Sequence, residues 1–172
     1  MNKIDRYNKL AAKAKSKSSE IMKKLNITEG DNILEIGVGG GYYADLLSDL
    51  IGKKGMYYGA DTDEEFLNNL KQLNQHKENK NITPKKVGEH NLPVTEKKVN
   101  LIFTRNVYHH LSNRTNYFKH LASLLAENGK IAIIDYNNRW SLMKLSGHYT
   151  KPETVISEMQ DAGYILKEEH TI

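Results

Sequence analysis

The chain has 172 residues, enough for one ordinary domain and too few for two of full size. Lys and Arg total 25 against 21 Asp and Glu, so the net charge is +4, a mildly basic balance that permits a nucleic-acid partner without implying one. Cysteine is absent, which excludes disulfide scaffolds, zinc ribbons, thiolate nucleophiles and iron–sulfur sites.

Residues 5–25 place Leu10, Ala11, Ala14, Ile21, Met22 and Leu25 mostly three or four apart, with Lys9, Lys13, Lys17, Lys23 and Lys24 between them. That spacing predicts one basic amphipathic helix. Ile33-Leu34-Glu35-Ile36 reads as a strand running into glycines, followed by a helix at about 42–51 and a strand at about 56–60. A helix at about 63–76, a strand near 82–87 and a strand at Val99–Phe103 come next. Then follow a helix at about 113–127, stopped by Asn128-Gly129, and a buried strand at Lys130–Ile134. The last helix spans about 152–162 and is closed by Gly163, after which Tyr164–His170 alternates like a strand. Thr62-x-x-Glu65 and Thr150-x-x-Glu153 read as capping boxes, and Ser112 as the cap of the helix near 113. Strands alternating with helices predict right-handed crossovers, hence an α/β, doubly wound three-layer sandwich with a mostly parallel sheet. No boundary signal divides the chain, so residues 1–27 are expected as a helical cap on a core spanning 28–172. Ligands of such sheets sit beyond the carboxyl ends of the strands, here at residues 37–43, 61–63, 88–92, 104–110 and 135–140.

Gly37, Gly39 and Gly41 form G-x-G-x-G at the first strand-to-helix turn, with Gly40 a fourth glycine in five residues. Glycine is needed where φ is positive or where a ligand must touch backbone. A tight connection alone is the structural alternative, and it needs fewer glycines. The dinucleotide fingerprint G-x-G-x-x-G is not met, because Tyr42 occupies its third glycine position. Glu35 stands two residues before the turn, and Asp61 follows Gly41 by 20 residues at the end of the next strand. A carboxylate there can accept both hydroxyl hydrogens of a ribose.

The pattern E-x-G-x-G-x-G with that later acid resembles the first motif of class I, Rossmann-like S-adenosylmethionine-dependent methyltransferases. Gly88-Glu-His-Asn-Leu-Pro93 resembles their third-strand loop, and Phe103-Thr-Arg-Asn-Val-Tyr-His-His-Leu111 their fourth-strand motif. Leu124 to Asp135 resembles the approach to the fifth strand. His148-Tyr-Thr-x-Pro-Glu with Glu158-Met-x-x-Ala-Gly-Tyr164 resembles the last helix of a small-molecule subgroup related to quinone and arsenite methyltransferases. The resemblance implies S-adenosylmethionine as donor and S-adenosylhomocysteine as product. It implies Glu35, Gly37, Gly39, Gly41, Asp61, Thr62, Glu89 and Asn106 as donor-binding residues, with Glu89, His90 or Asn91 facing the adenine. Glu35 would hold the loop or reach the donor's ammonium through water, and Tyr7 and Tyr42 are candidates for a cation–π contact with the sulfonium. The family ends in an antiparallel strand pair. Only nine residues follow Gly163, so that C-terminal antiparallel strand is expected to be missing or incomplete, leaving the fifth strand with a raw edge or covered by residues 164–171.

The acceptor pocket is expected at Asn106, Tyr108, His109 and His110 on one strand end and Asp135, Tyr136 and Arg139 on another. His109, and with it Tyr108, are the candidate catalytic residues, since histidine can take a proton near neutral pH. The alternative is that both histidines are structural. Without an H-x-x-x-H helix pair no metal site is expected. Lack of cysteine excludes arsenite chemistry, and Asn106-Val-Tyr-His stands where amine-methylating enzymes of nucleic acids carry Asn/Asp-Pro-Pro-Tyr. A small-molecule acceptor is therefore the first reading, with RNA or protein methylation, a nicotinamide-dependent Rossmann oxidoreductase, and a donor-binding module without catalysis as alternatives. No apolar run approaches the roughly 20 residues of a membrane span, and the first six residues lack a signal peptide's apolar stretch. The expectation is a cytoplasmic protein without a membrane partner.

Overall fold

The computed structural model describes residues 1–13, 16–88, 91–135 and 149–171. The expectations for Ala14, Glu89, His90, Tyr136, Arg139 and His148 lie outside them.

Five strands form one sheet: β1 (Asn32–Ile36), β2 (Met56–Asp61), β3 (Ile82–Lys86), β4 (Val99–Arg105) and β5 (Leu125–Ile134). Their order is β3-β2-β1-β4-β5 and every pairing is parallel. The order reverses at β1, so β1 and β4 leave the sheet on opposite sides of a crevice. One face carries α2 (Ser18–Leu25), α3 (Tyr42–Ile51) and α4 (Glu64–His76), whose Ile21, Leu25, Leu47, Ile51, Phe66 and Leu70 bury Ile33, Tyr57, Leu101 and Phe103. The other face carries α5 (Arg114–Leu121) and α6 (Pro152–Asp161) over Leu34, Ile36, Tyr58 and Ile102. Strands buried on both faces explain why these segments read as continuous apolar runs.

The N-terminal helix is two helices, α1 (Lys3–Ala12) and α2. Serine competes with helix by bonding backbone, and here Ser16 and Ser18 donate to the carbonyls of Leu10 and Ala11 while Lys17 turns left-handed at φ 53°. The cap of α4 is Asp63, whose side chain accepts from Glu65 N at 2.8 Å, and not Thr62. Likewise α6 starts at Pro152 after Lys151, so Thr150 does not cap it, and α5 starts after a left-handed Asn113 rather than at Ser112.

α5 ends at Leu121 and a single 3-10 turn, Ala122–Leu124, leads straight into β5. The Asn128-Gly129 turn lies inside β5 as an irregularity: Val99 faces Leu125, but Leu101 faces Lys130. A Cβ on Gly129 would come 2.9 Å from the Val99 carbonyl, so the bulge requires glycine. α6 ends in a Schellman motif, with Gly163 N–H on Gln160 O, Tyr164 N–H on Met159 O and Gly163 at φ 95°. The strand expected at 164–170 is not formed. The Tyr164 hydroxyl is tied to Phe118 O, Ile165 and Leu166 stay exposed, and His170 lies 3.2 Å from Lys24 Nζ. Among the described residues β5 pairs with β4 alone, so this tail does not cover its edge.

Candidate functional site at the carboxyl end of the sheet

β1 delivers the chain into the glycine turn. Gly37, Gly39 and Gly41 have φ of 79°, 51° and 85°, conformations that other residues adopt with strain. Gly37 N–H continues the ladder to Ala60 O at 2.8 Å, Asn69 of α4 holds Gly40 O at 2.9 Å, and Gly41 caps α3. Asp61 closes β2 and turns inward. Its Oδ2 accepts from Gly39 N–H at 3.3 Å and its Oδ1 from Asp63 N–H at 3.0 Å. Burial raises its pKa above the ordinary aspartate value, and the amides of Asp63, Gly39 and Thr62 offset part of that. The Thr62 side chain is exposed, and its carbonyl accepts from Lys86.

The turn is also a packing surface. A Cβ on Gly37 would overlap Val107, and one on Gly39 would come 3.2 Å from the Tyr7 ring. One on Gly40 would overlap Asn8, whose Oδ1 is buried without a hydrogen-bond partner. α1 therefore lies across the glycines, held by the Lys3–Asp63 ion pair and by the Tyr7 ring edge-on to Phe66 at 5.1 Å. Tyr42 stacks edge-on to Tyr43 instead of entering the turn.

Beneath the turn, Glu35 is fully buried and accepts a short hydrogen bond from the Tyr57 hydroxyl. Burial raises its pKa to about 8, against the opposing effect of Tyr57, so it is mostly neutral at pH 7. Glu35 thus braces the strands from inside the core.

The second strand pair supplies the other half of the site. Asn106 takes φ 56° and its N–H ends the ladder on Ile134 O at 2.8 Å. His109 Nδ1 lies 2.9 Å from both carboxylate oxygens of Asp135, and its backbone N–H reaches the same carboxylate at 3.3 Å. Both side chains sit below the surface, 4% and 8% exposed. The His110 ring is tilted against that of His109 at 4.1 Å. Tyr108 is elsewhere: it is buried in the second core, stacked on Phe118, with its hydroxyl on Glu158 at 2.6 Å. Asn91 is exposed beside Gly88.

The arrangement fits an adenosyl amino-acid donor. It combines a backbone-lined turn, an inward carboxylate on the neighbouring strand, and a second polar cluster one strand away. His109 and Asp135, expected at one pocket, are joined by a hydrogen bond, and one contribution escapes the sequence: Arg105, which follows Thr104 beside the turn.

A family model described as a methyltransferase domain matches residues 4–170. The chain is 39% identical over 59 residues to a protein-L-isoaspartate O-methyltransferase of Methanosarcina mazei, covering 34% of this chain and 24% of that protein. It therefore spans about a quarter of that relative's length. Among solved structures it resembles a SAM-dependent methyltransferase from Aquifex aeolicus, with TM-score 0.76, 23% identity and coverage of 95% and 89% of the two chains. It also resembles an arsenic(III) S-adenosylmethionine methyltransferase from Chlamydomonas reinhardtii, with TM-score 0.66, 17% identity and coverage of 78% and 52%.

Proposed function

The chain belongs to the methyltransferase-domain family, and from that premise we propose that it transfers a methyl group from S-adenosylmethionine to a small-molecule acceptor. The observation that carries the reading is one meeting point: three left-handed glycines after β1, with the carboxylate of Asp61 at the end of β2 3.3 Å from the Gly39 amide. When bound, the donor supplies a methyl already activated on a sulfonium and leaves as S-adenosylhomocysteine.

The chain's own task is then alignment. The glycines offer bare backbone to the methionine end, and Asp61 accepts the ribose hydroxyls in place of one of its present amide bonds. Thr62, Asn106 and Glu89 complete the donor's surroundings. Tyr7 and Val107 lie on the turn, so a bound donor shifts them, and the Tyr7 ring then lies near the sulfonium, where a π face is favourable. Asp135 fixes the His109 ring, and His109 takes the proton that a hydroxyl or amine acceptor loses on methylation. The depth of this pair supports a small acceptor over a flat macromolecular surface.

Calorimetry on the full chain should detect binding of S-adenosylhomocysteine and not of NAD; the reverse overturns the donor assignment. Asp61→Ala should weaken that binding by about 1.5–3 kcal/mol, the range for hydrogen bonds to charged groups. Unchanged affinity removes Asp61 from the ribose role. The Methanosarcina mazei relative favours a second acceptor, an isoaspartyl carboxylate in a protein. Labelled donor offered together with small hydroxyl and amine compounds and an isoaspartyl peptide separates the two, and label in the peptide alone overturns the small-molecule reading.

A further inference from the structure

Arg105 is a cation with an unmet need. Along β4, Leu101 and Phe103 enter the first core, and Arg105 follows on the same face by the alternation of a strand. Ile36 pairs with Thr104, so the next step sets Arg105 beside Gly37 at the start of the glycine turn. Its guanidinium carbon lies 5.6 Å from the centre of the Tyr43 ring. Its Nε is shut off from solvent and has no hydrogen-bond acceptor. Among the described residues no carboxylate forms an ion pair with it. The nearby acid is Glu35, which is engaged by Tyr57 and mostly neutral at pH 7. A half-buried guanidinium with an inward N–H left unpaired is costly, and an anion accepting from it offsets that cost.

We infer that Arg105 receives the carboxylate at the amino-acid end of the methyl donor, and so selects donors that carry an intact methionine moiety. This rests on the donor reading above. The position decides which anion is meant: Gly37 begins the stretch assigned to the methionine end, and Asp61, which faces the sugar, stands on the strand at the other side of β1. The chemistry agrees, because the planar fork of a guanidinium matches a carboxylate through two parallel hydrogen bonds. Tyr43, whose hydroxyl is tied to Ser18 at 3.2 Å, forms the floor under the fork.

The test compares two ligands by calorimetry on the full chain. S-adenosylhomocysteine carries the carboxylate; 5′-methylthioadenosine keeps the adenosine and sulfur and lacks the amino-acid end. Arg105→Gln should weaken S-adenosylhomocysteine binding about tenfold or more while 5′-methylthioadenosine changes by no more than about twofold. Arg105→Lys, which keeps the charge and loses the fork, should fall between. Equal losses for both ligands, or undiminished S-adenosylhomocysteine binding by Arg105→Gln, overturn the assignment and leave the donor reading intact. If the wild type binds neither compound, the donor reading itself fails. Should Arg105→Gln not fold, the wild type decides alone: it should bind decarboxylated S-adenosylmethionine about tenfold more weakly than S-adenosylmethionine, and equal affinity overturns the inference.

Discussion

Tyr57 and Tyr108 each donate a hydroxyl to a glutamate, one in each core, and the pairs differ in their cation. In the second core Tyr108 bonds Glu158, and Arg114 grips the same carboxylate with Nε and a terminal nitrogen, each at 2.7 Å. The guanidinium also lies over the Tyr108 ring at 5.1 Å. Arg114 holds the Glu158 carboxyl below the ordinary glutamate value, and burial with Glu158 beside it holds the Tyr108 hydroxyl well above the ordinary tyrosine value. In the first core Tyr57 bonds Glu35, and the arginine in reach, Arg105, makes no hydrogen bond to it. Burial then dominates and lifts Glu35 to about 8. The same two residue types thus give an ionised clamp between α5 and α6, and a neutral brace beneath the glycine turn. The clamp has used its cation for stability. The brace leaves its cation to a ligand.

The largest effect that would sharpen this contrast is a pH slope. Between the ordinary Glu35 value of 4.5 and about 8, the folded chain keeps a proton that the unfolded chain has lost. Stability therefore falls as pH rises through that window, by on the order of 5 kcal/mol at about 1.4 kcal/mol per pKa unit. Glu35→Gln keeps a neutral hydrogen-bonding group and should remove the slope. Urea unfolding at pH 5 and pH 8 measures it, and parallel behaviour of variant and wild type would show that Glu35 is ionised in the fold.

Arg114→Ala comes next, with the opposite pH signature. It removes both bonds to a partly exposed carboxylate and should cost about 2 kcal/mol near neutral pH. Because Glu158 is lowered in the fold, its stabilisation is present above the unfolded glutamate value and lost as pH falls through the folded one. The gap between variant and wild type should close in acid. A gap of constant size would mean that Arg114 works by packing on Tyr108.

How far the sequence reveals this molecule depends on whether a feature is set by local pattern or by register. The central strands β1, β2 and β4 are legible because their residues are mostly buried, and the glycine turn with Asp61 because its spacing is chemical. The break between α1 and α2 hides in the pattern, since Ser16 and Ser18 look like surface residues until their hydroxyls meet the carbonyls of Leu10 and Ala11. The sequence reads Thr62 as the cap of α4, but that place goes to Asp63, whose carboxylate accepts from the Glu65 amide. The end of α5 shifts because Val99 and Leu101 accept β5 in two registers. His109 and Asp135 stand 26 residues apart, and only the parallel pairing of β4 with β5 joins them. Arg105 is a charge at the end of an apolar strand, and only the register with β1 reveals that it borders the turn.

The smallest effects come from the hydroxyls themselves, and they test whether the cation decides the charge state. Tyr57→Phe and Tyr108→Phe each delete one hydrogen bond, worth about 1 kcal/mol. Their pH behaviour should part. The Tyr57 hydroxyl is the strongest influence drawing the Glu35 pKa downward, so its loss leaves burial less opposed and moves the upper edge of the Glu35 window further above 8. Glu158 keeps Arg114 when Tyr108 loses its hydroxyl, so it stays ionised and its acid transition rises only slightly. Stability curves from pH 3 to pH 9 resolve both edges. If Tyr108→Phe moved its edge as far as Tyr57→Phe moves the other, the hydroxyl and not the guanidinium would set the charge of these carboxylates. Glu35 would then owe its neutrality to something other than a missing cation.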